Sequence, residues 1–463
     1  MSGKKIMEEN ISDGGFFGTK KIGKILMKIA PPVMLAQLIQ ALYNIVDSFF
    51  VGKYSDEALT ALTVIYPLQL IIIALAVGTG VGVNTYMARK FAQGNPDDAY
   101  NAAGTGTVLA FAMWALFAVA SVLIMRPYVM TSAKSAQAIA DAVTYGNIVC
   151  VGSLGSFLEG TWTKVHQSKG NMRLPMIAQV VGALTNIVLD PILIFGWGVI
   201  PPMGVAGAAY ATVCGQVAAA VITGVRGFHK PPQLKKMPYY IKKIYFYGYS
   251  SIFMQILFTV YIVALNMILA GFSDAAVTVL GLYYKMQSFF FIPLFGLQTC
   301  IVPVISFNYA IRQYMRCKEI MKDSFLISML FMVVGIIAFV FFPHQVISIF
   351  SDNAEVHNIG GYAFPIIGSS FICAVFSLMM PVFFQAIGDG KTSIILSVTR
   401  QILCLIPIFR LCSLIGLNYA WIAFPASETI SGGIGLLFYY KVVRKWKTLS
   451  DINYKSENVK DES

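Results

Sequence analysis

The sequence predicts an all-α integral membrane protein with twelve transmembrane helices in two pseudo-symmetric six-helix lobes. Three observations carry this. The 463-residue chain is 57% hydrophobic and only 12% charged, about half the charged fraction of a soluble domain. Apolar runs long enough to cross about 30 Å of hydrocarbon recur along its whole length. The polar landmarks of the first half also return in the second half at a fixed offset.

The runs fall, in order, near residues 25–52, 58–88, 101–125, 140–163, 174–198 and 204–225, then 244–271, 276–309, 324–342, 358–387, 393–415 and 418–440. They are numbered here as spans 1 to 12. The polar, Lys-rich residues 1–24 lack the small-residue cleavage site of a signal peptide and are expected to stay attached. Span 1 carries Pro31-Pro32, which remove backbone donors; the pair either bends the helix as a moving part or caps its first turn. The longest interior polar stretch separates spans 6 and 7. The division expected is therefore an N-terminal segment 1–24, a first lobe 25–228, a linker 229–243, a second lobe 244–443 and a tail 444–463.

With a cytoplasmic N-terminus, 28 of the 34 Lys and Arg lie in or beside cytoplasmic segments. The positive-inside rule then places both termini in the cytoplasm and the protein as a multi-pass chain in the plasma membrane. The net charge of +12 is topological, and nucleic acid is not an expected partner. Seven Cys without CxxC spacing read as buried free thiols. No His-Glu-x-x-His or Cys/His cluster points to zinc, and no Gly-x-Ser-x-Gly elbow or haem-type His pair points to a membrane enzyme.

Sliding the halves by 218 residues pairs Gln37 with Gln255, Tyr43 with Tyr261 and Ser55-Asp56 with Ser273-Asp274. The same shift pairs Ala58 with Ala276, Tyr66 with Tyr284, Gln69 with Gln287 and Gly78 with Gly296. This reads as a tandem duplication. Because each half has an even number of spans, both insert the same way up, and substrate sites are expected between them.

Two carboxylates stand in spans where an ionised acid costs about 2.5–3.5 kcal/mol: Asp47 in span 1 and Asp190 in span 5. Tyr43 lies four residues before Asp47 and Asn186 four before Asp190, so each pair shares a helical face. Thr212 of span 6 reaches the depth of Asp190. Five polar groups at matched depth suit a proton or a Na⁺ ion, with Asp47, Asn186, Asp190 and Thr212 as the Na⁺ candidates. Packing of isolated polar residues is the alternative. Glu159 in span 4 is a candidate contact for a cationic substrate, with Gln37 and Gln255 as further cavity candidates, or it turns toward a neighbouring helix. Lys285 and Arg400 either pair with intramembrane acids or snorkel.

These residues resemble the multidrug and toxic compound extrusion (MATE) transporters over about residues 25–445. The strongest matches are Tyr43-Asn44-x-x-Asp47 with Gly52 and Ala58-Leu59, then Asn186-x-x-Leu189-Asp190 followed by Gly207-Ala208-Ala209-x-Ala211-Thr212. Gln385-Ala386-x-Gly388, Arg400-Gln401 and Pro425 are consistent with it. The resemblance implies a V-shaped two-lobe fold, no cofactor, and export of lipophilic organic cations in exchange for H⁺ or Na⁺. Asp47 and Asp190 are then the ion-coupling carboxylates, with Tyr43, Asn186 and Thr212 beside them. Small cations, the coupling ion and membrane lipids are the expected partners of a monomer. Some relatives carry coupling acids on spans 7 and 10; here span 7 offers Gln255 and span 10 none. The usual Asn-Tyr-Gly-Ala after span 8 reads Asn308-Tyr309-Ala310-Ile311, and an acid in span 12 reads Glu428. A lipid-linked precursor flippase of the same superfamily is the alternative, but its pyrophosphate would need several cavity cations, and only Lys285 and Arg400 are candidates.

Overall fold

The structure, a computed structural model, describes residues 15–132, 135–351 and 353–461. Residues 1–14 of the expected N-terminal segment, Lys134 and the last two residues of the expected tail lie outside the described residues, as do the side chains of Asn44, Asp56 and Leu59. Every regular element among the described residues is helical, apart from one isolated bridge between Trp197 and Ile200.

Each of the twelve predicted runs falls on one helix or on two or three consecutive helical segments. Among the described residues, nine helices are long and apolar enough to cross a membrane. Spans 4 and 10 are bent pairs, Ala136–Gly152 with Leu154–Ser168 (42°) and Ala354–Gly368 with Phe371–Ile387 (59°), and raise the number to eleven. Span 12 lies within Ala423–Asp461, where Ser427, Glu428, Thr429 and three glycines dilute the apolar character. Span 8 divides at Phe291 into Asp274–Phe290 and Ile292–Ala310.

Several boundaries differ from the expected division. Helix Leu234–Lys236 and then Met237–Ala270 begin inside the stretch 229–243 expected as linker. The reason is packing: Tyr240 is buried, and its hydroxyl donates to Asp98 Oδ1 (2.8 Å) and accepts from Asn101 Nδ2 (3.2 Å). Residues 16–24 are not a merely polar leader. Phe16–Thr19 is a helix with Phe16 and Phe17 buried, and Arg316 donates to the carbonyls of Phe17 (3.0 Å) and Lys20 (2.7 Å). The tail from 444 continues the last helix, and Trp446 stacks on Tyr314 at 5.2 Å. Pro31 and Pro32 stand well inside helix Ile22–Tyr54, so they do not cap its first turn.

The chain forms two compact units. The first contains Lys28–Gln255; the second contains Phe16–Met27 and the described residues of Ile256–Ser463. The core of the first unit gathers Val51, Ile65, Met125, Tyr145, Phe157 and Ile194 with a lining of alanines. The second is rich in aromatic contacts around Phe339, which meets Phe371 edge to face and stacks on Phe364.

The 218-residue repeat is written into the backbone. Ser55 and Ser273 both sit in extended conformation and cap the next helix, accepting from Ala58 N (3.0 Å) and Ala276 N (3.2 Å). Spans 4 and 10 end on the same left-handed glycine: Gly170 (φ 76°) and Gly388 (φ 87°). The residue after each glycine closes the same loop, Asn171 N to His166 O (3.0 Å) and Asp389 N to Phe384 O (2.8 Å). At the ends of spans 2 and 8 the left-handed position is Gly94 (φ 71°) in one copy and Arg312 (φ 60°) in the other. A glycine tolerates this conformation, and a side chain strains in it.

Candidate functional site

The close approach of spans 5 and 6 sets the site. A Cβ on Gly182 would press on the carbonyl of Gly215, and one on Gly215 on that of Gly182. A Cβ on Gly207 would meet the backbone of Leu193. With these contacts bracketing them, the faces carrying Asn186 and Asp190 on one helix and Thr212 on the other are pressed together.

All three are buried, Asp190 completely. Asn186 bridges the other two. Its Nδ2 lies 3.3 Å from Asp190 Oδ1 and 3.4 Å from Thr212 Oγ1. With the amide turned over, Nδ2 donates to Asp190 Oδ2 at 3.1 Å while Oδ1 accepts from the Thr212 N–H at 3.1 Å, which gives every group a complementary partner. The i to i+4 spacing of Asn186 and Asp190 is what makes the first of these bonds local.

Asp47 on span 1 is also buried, and its carboxyl is within reach of Asp190. No donor among the described residues reaches its Oδ1. Neither carboxylate belongs to an ion pair; among the described residues the pairs are Lys90–Asp98 and Arg400–Glu428. Carboxylates accept and do not donate, so two of them facing each other in an apolar interior call for a proton or a cation between them. Tyr43 stands close to both.

One residue of this cluster carried no signal in the sequence. Tyr145 of span 4 is buried, sits near Asp47 and Thr212, and accepts from Gln69 Nε2 at 3.3 Å. A lone Tyr in an apolar run looks like ordinary core; only its partner Gln69, an amide in the middle of span 2, offered a hint.

Beside the cluster lies a cavity of about 450 Å³ wholly within the first unit. Gln37, Glu159 and Gln255 line it, as do Tyr43, Asn186 and Thr212. Glu159 accepts from Thr163 Oγ1 (2.7 Å) and Gln179 Nε2 (3.1 Å), both through Oε1. Its carboxylate is thus held by neutral donors at a cavity wall.

In the second unit Glu428 and Arg400 are both buried and bonded to each other. Arg400 Nε lies 3.0 Å from each carboxylate oxygen and Nη2 2.6 Å from Oε1, while Ser377 donates to Oε2. Of the two alternatives for Arg400, the structure gives pairing. Lys285 instead stands 5.9 Å from the Phe350 ring centroid.

Comparison with known proteins agrees with this architecture. The MatE family model matches residues 32–192 and again 250–409, together over two thirds of the chain and starting 218 residues apart. Relatives include the FAD transporter of Shewanella oneidensis, 24% identical over 91% of this chain and 95% of its own. The multidrug export protein MepA of Staphylococcus saprophyticus is 23% identical, over 92% and 95%. The probable multidrug resistance protein NorM of Thermotoga maritima is 26% identical, over 92% and 94%. Two solved structures share the fold at 22% identity. One is a MOP superfamily transporter from Pyrococcus furiosus (TM-score 0.86, covering 94% of this chain and 98% of that one). The other is an outward-facing multidrug resistance MATE transporter (TM-score 0.87, covering 94% and 99%). With its membrane-length helices and a family match in both halves, the chain is a member of the MatE family, the multidrug and toxic compound extrusion transporters.

Proposed function

We propose that the protein is a secondary antiporter that exports lipophilic organic cations across the plasma membrane in exchange for H⁺ or Na⁺. The observation that carries this is the Asp47–Asp190 pair: two buried, mutually facing carboxylates without a basic partner, one oxygen of which has no donor. Such a pair holds a cation or proton whenever both acids are in the dry interior, and releases it when water or a competing positive charge arrives.

In this reading Asn186 and Thr212 position Asp190, Tyr43 joins the two carboxylates to the cavity, and Tyr145 fixes the far side. The cavity next to them takes the substrate. Glu159 supplies a cavity-wall carboxylate, held by neutral hydrogen-bond donors, for a cation, while Gln37 and Gln255 offer amide donors and acceptors. Pro31-Pro32 are the hinge of span 1. Both termini face the cytoplasm, and the protein works as a monomer.

The flippase alternative is not favoured, because Arg400 is already neutralised by Glu428 and so is unavailable to a pyrophosphate. The same reasoning disfavours the cargo named for the Shewanella relative, since Glu159 would repel a diphosphate at the cavity wall.

The test is uptake of a fluorescent organic cation into inside-out vesicles under a proton gradient and, separately, a Na⁺ gradient. Uptake driven by one gradient and lost in Asp47→Asn and Asp190→Asn is the expected result. Full gradient-driven uptake in both variants would sink the coupling role, and FAD uptake without cation uptake would sink the substrate class.

A further inference from the structure

The second unit carries the framework of the ion cluster without its charge. Tyr43 and Tyr66 of the first unit recur 218 residues on as Tyr261 and Tyr284, and Gln69 recurs as Gln287. In the first unit Tyr43 has Tyr66, Asp47 and Asp190 around it. In the second, Tyr261 is buried with its ring centroid 6.1 Å from that of Tyr284, and its neighbours are Arg400 and Glu428. The position matching Asp47 is Leu265, completely buried. One copy of the tyrosine frame therefore faces two acids, and the other faces one acid and one base.

The base is placed with some backbone effort. Residues Thr399–Leu405 form a π-helical segment between two α-helical stretches, Gly390–Val398 and Ile406–Ile415. Such wide turns are rare and gather at functional positions because they re-aim side chains. The corresponding stretch of span 5 is regular α-helix within Arg173–Phe195. The wide turn includes Arg400, whose guanidinium meets the Glu428 carboxylate through Nε and Nη2. The third donor to Glu428 is Ser377, which occupies the repeat position of Glu159.

We propose that Arg400 is a built-in cation. Its guanidinium stands permanently beside the second tyrosine pair, in the role that the exchangeable H⁺ or Na⁺ plays beside the first. The second unit is thereby charge-silent and adds no ion to the transport cycle. An arginine is suited to this because it stays protonated at every accessible pH and matches a carboxylate with two parallel bonds. The groups facing Glu428 are Arg400, Ser377 and the tyrosines Tyr261 and Tyr283, so removing Arg400 leaves its carboxylate with no cationic neighbour among them. It would then have to take up an ion, as the first unit does.

The inference rests on the ion-exchange reading of the first unit. Its test uses the full-length protein in proteoliposomes and finds the ion gradient at which net flux of the organic cation is zero, which gives ions moved per substrate. Arg400→Gln should move one more ion per substrate than the unaltered protein. Arg400→Gln/Glu428→Gln, with both charges removed, should return to the unaltered ratio. An equal ratio in all three proteins overturns the proposal, as does loss of gradient-driven transport in the double variant, which would place the pair in the coupling step itself. If Arg400→Gln does not fold, the double variant decides alone: an altered ratio refutes the proposal. If the unaltered protein is not driven by either gradient, the parent reading fails, and infrared spectra of purified Arg400→Gln still decide this one. A protonated-carboxyl or Na⁺-sensitive carboxylate band absent from the double variant supports it, and identical spectra refute it.

Discussion

The two units are copies of one plan that have parted company over charge. Both use a serine cap before the second helix, a bent fourth helix ending on a left-handed glycine, and a buried tyrosine pair. The first keeps spans 2 and 5 unbroken and, among the described residues, leaves three acids, Asp47, Glu159 and Asp190, without a basic partner in an ion pair. The second breaks its helices at Phe291 and through 399–405, and pairs its buried acid Glu428 with Arg400. The difference teaches that fold and function occupy separate residues here. Caps and glycines preserve the scaffold in both copies, while a handful of side chains sets the buried charge of each.

Four experiments sharpen or break this contrast. The largest effect belongs to the first unit: Asp190→Asn should lower gradient-driven accumulation by about 5–150-fold, the span of ordinary coupling free energies, while the purified protein keeps its unfolding temperature. Unchanged accumulation would erase the functional difference between the copies. Next, Glu428→Gln strands a buried guanidinium and should cost about 3–5 kcal/mol of stability, whereas an Arg400→Met/Glu428→Leu pair should be neutral or stabilising. Denaturation of the purified proteins reads this, and equal losses in both would mean that the ion pair is not what the second unit depends on.

Third, Glu159→Gln should weaken binding of a monocation by about tenfold, one charge-assisted contact, without altering that of a neutral analogue of the same shape. Loss for both would reduce Glu159 to a packing residue. Smallest, Gly170→Ala and Gly388→Ala should each cost about 1–2 kcal/mol for forcing a side chain into the left-handed region, and Arg312→Gly should recover part of that amount. Opposite signs at Gly170 and Gly388, measured as unfolding midpoints, would show that the repeat's caps are not equivalent.

Much of this was legible in the sequence because hydrophobic length and i to i+4 spacing are local properties. They gave the spans, and they gave Asn186 with Asp190 and Tyr43 with Asp47. Charge at matched depth brought Asp47, Asp190 and Thr212 into one list. What escaped depends on contacts between helices. Tyr145 and Gln179 act on partners far along the chain, and Arg400 meets Glu428 across 28 residues. The breaks at Phe291 and in 399–405 have no proline or glycine at their centre, and the prolines two residues beyond them, Pro293 and Pro407, sit in the first turn of the next helix. The polar stretch before span 7 looked like a linker because lysines outnumber its tyrosines, yet Tyr240 is buried against Asp98 and Asn101.

The membership of the helix beginnings carries one more consequence. Residues Phe16–Met27 pack with the second unit, and the start of span 7, through Gln255, packs with the first. Residues 16–27 correspond to 234–245 under the 218-residue shift, so over those opening turns each copy is grouped with the other's unit. In the first unit Gly78 and Gly82 leave room for the backbone of Ile252 and Ile244; in the second Phe17 fills the place beside Phe307. A gene encoding one copy would make a product with an unfilled groove and an orphaned helix start, each the complement of the other. Such a product would pair with itself by reciprocal exchange.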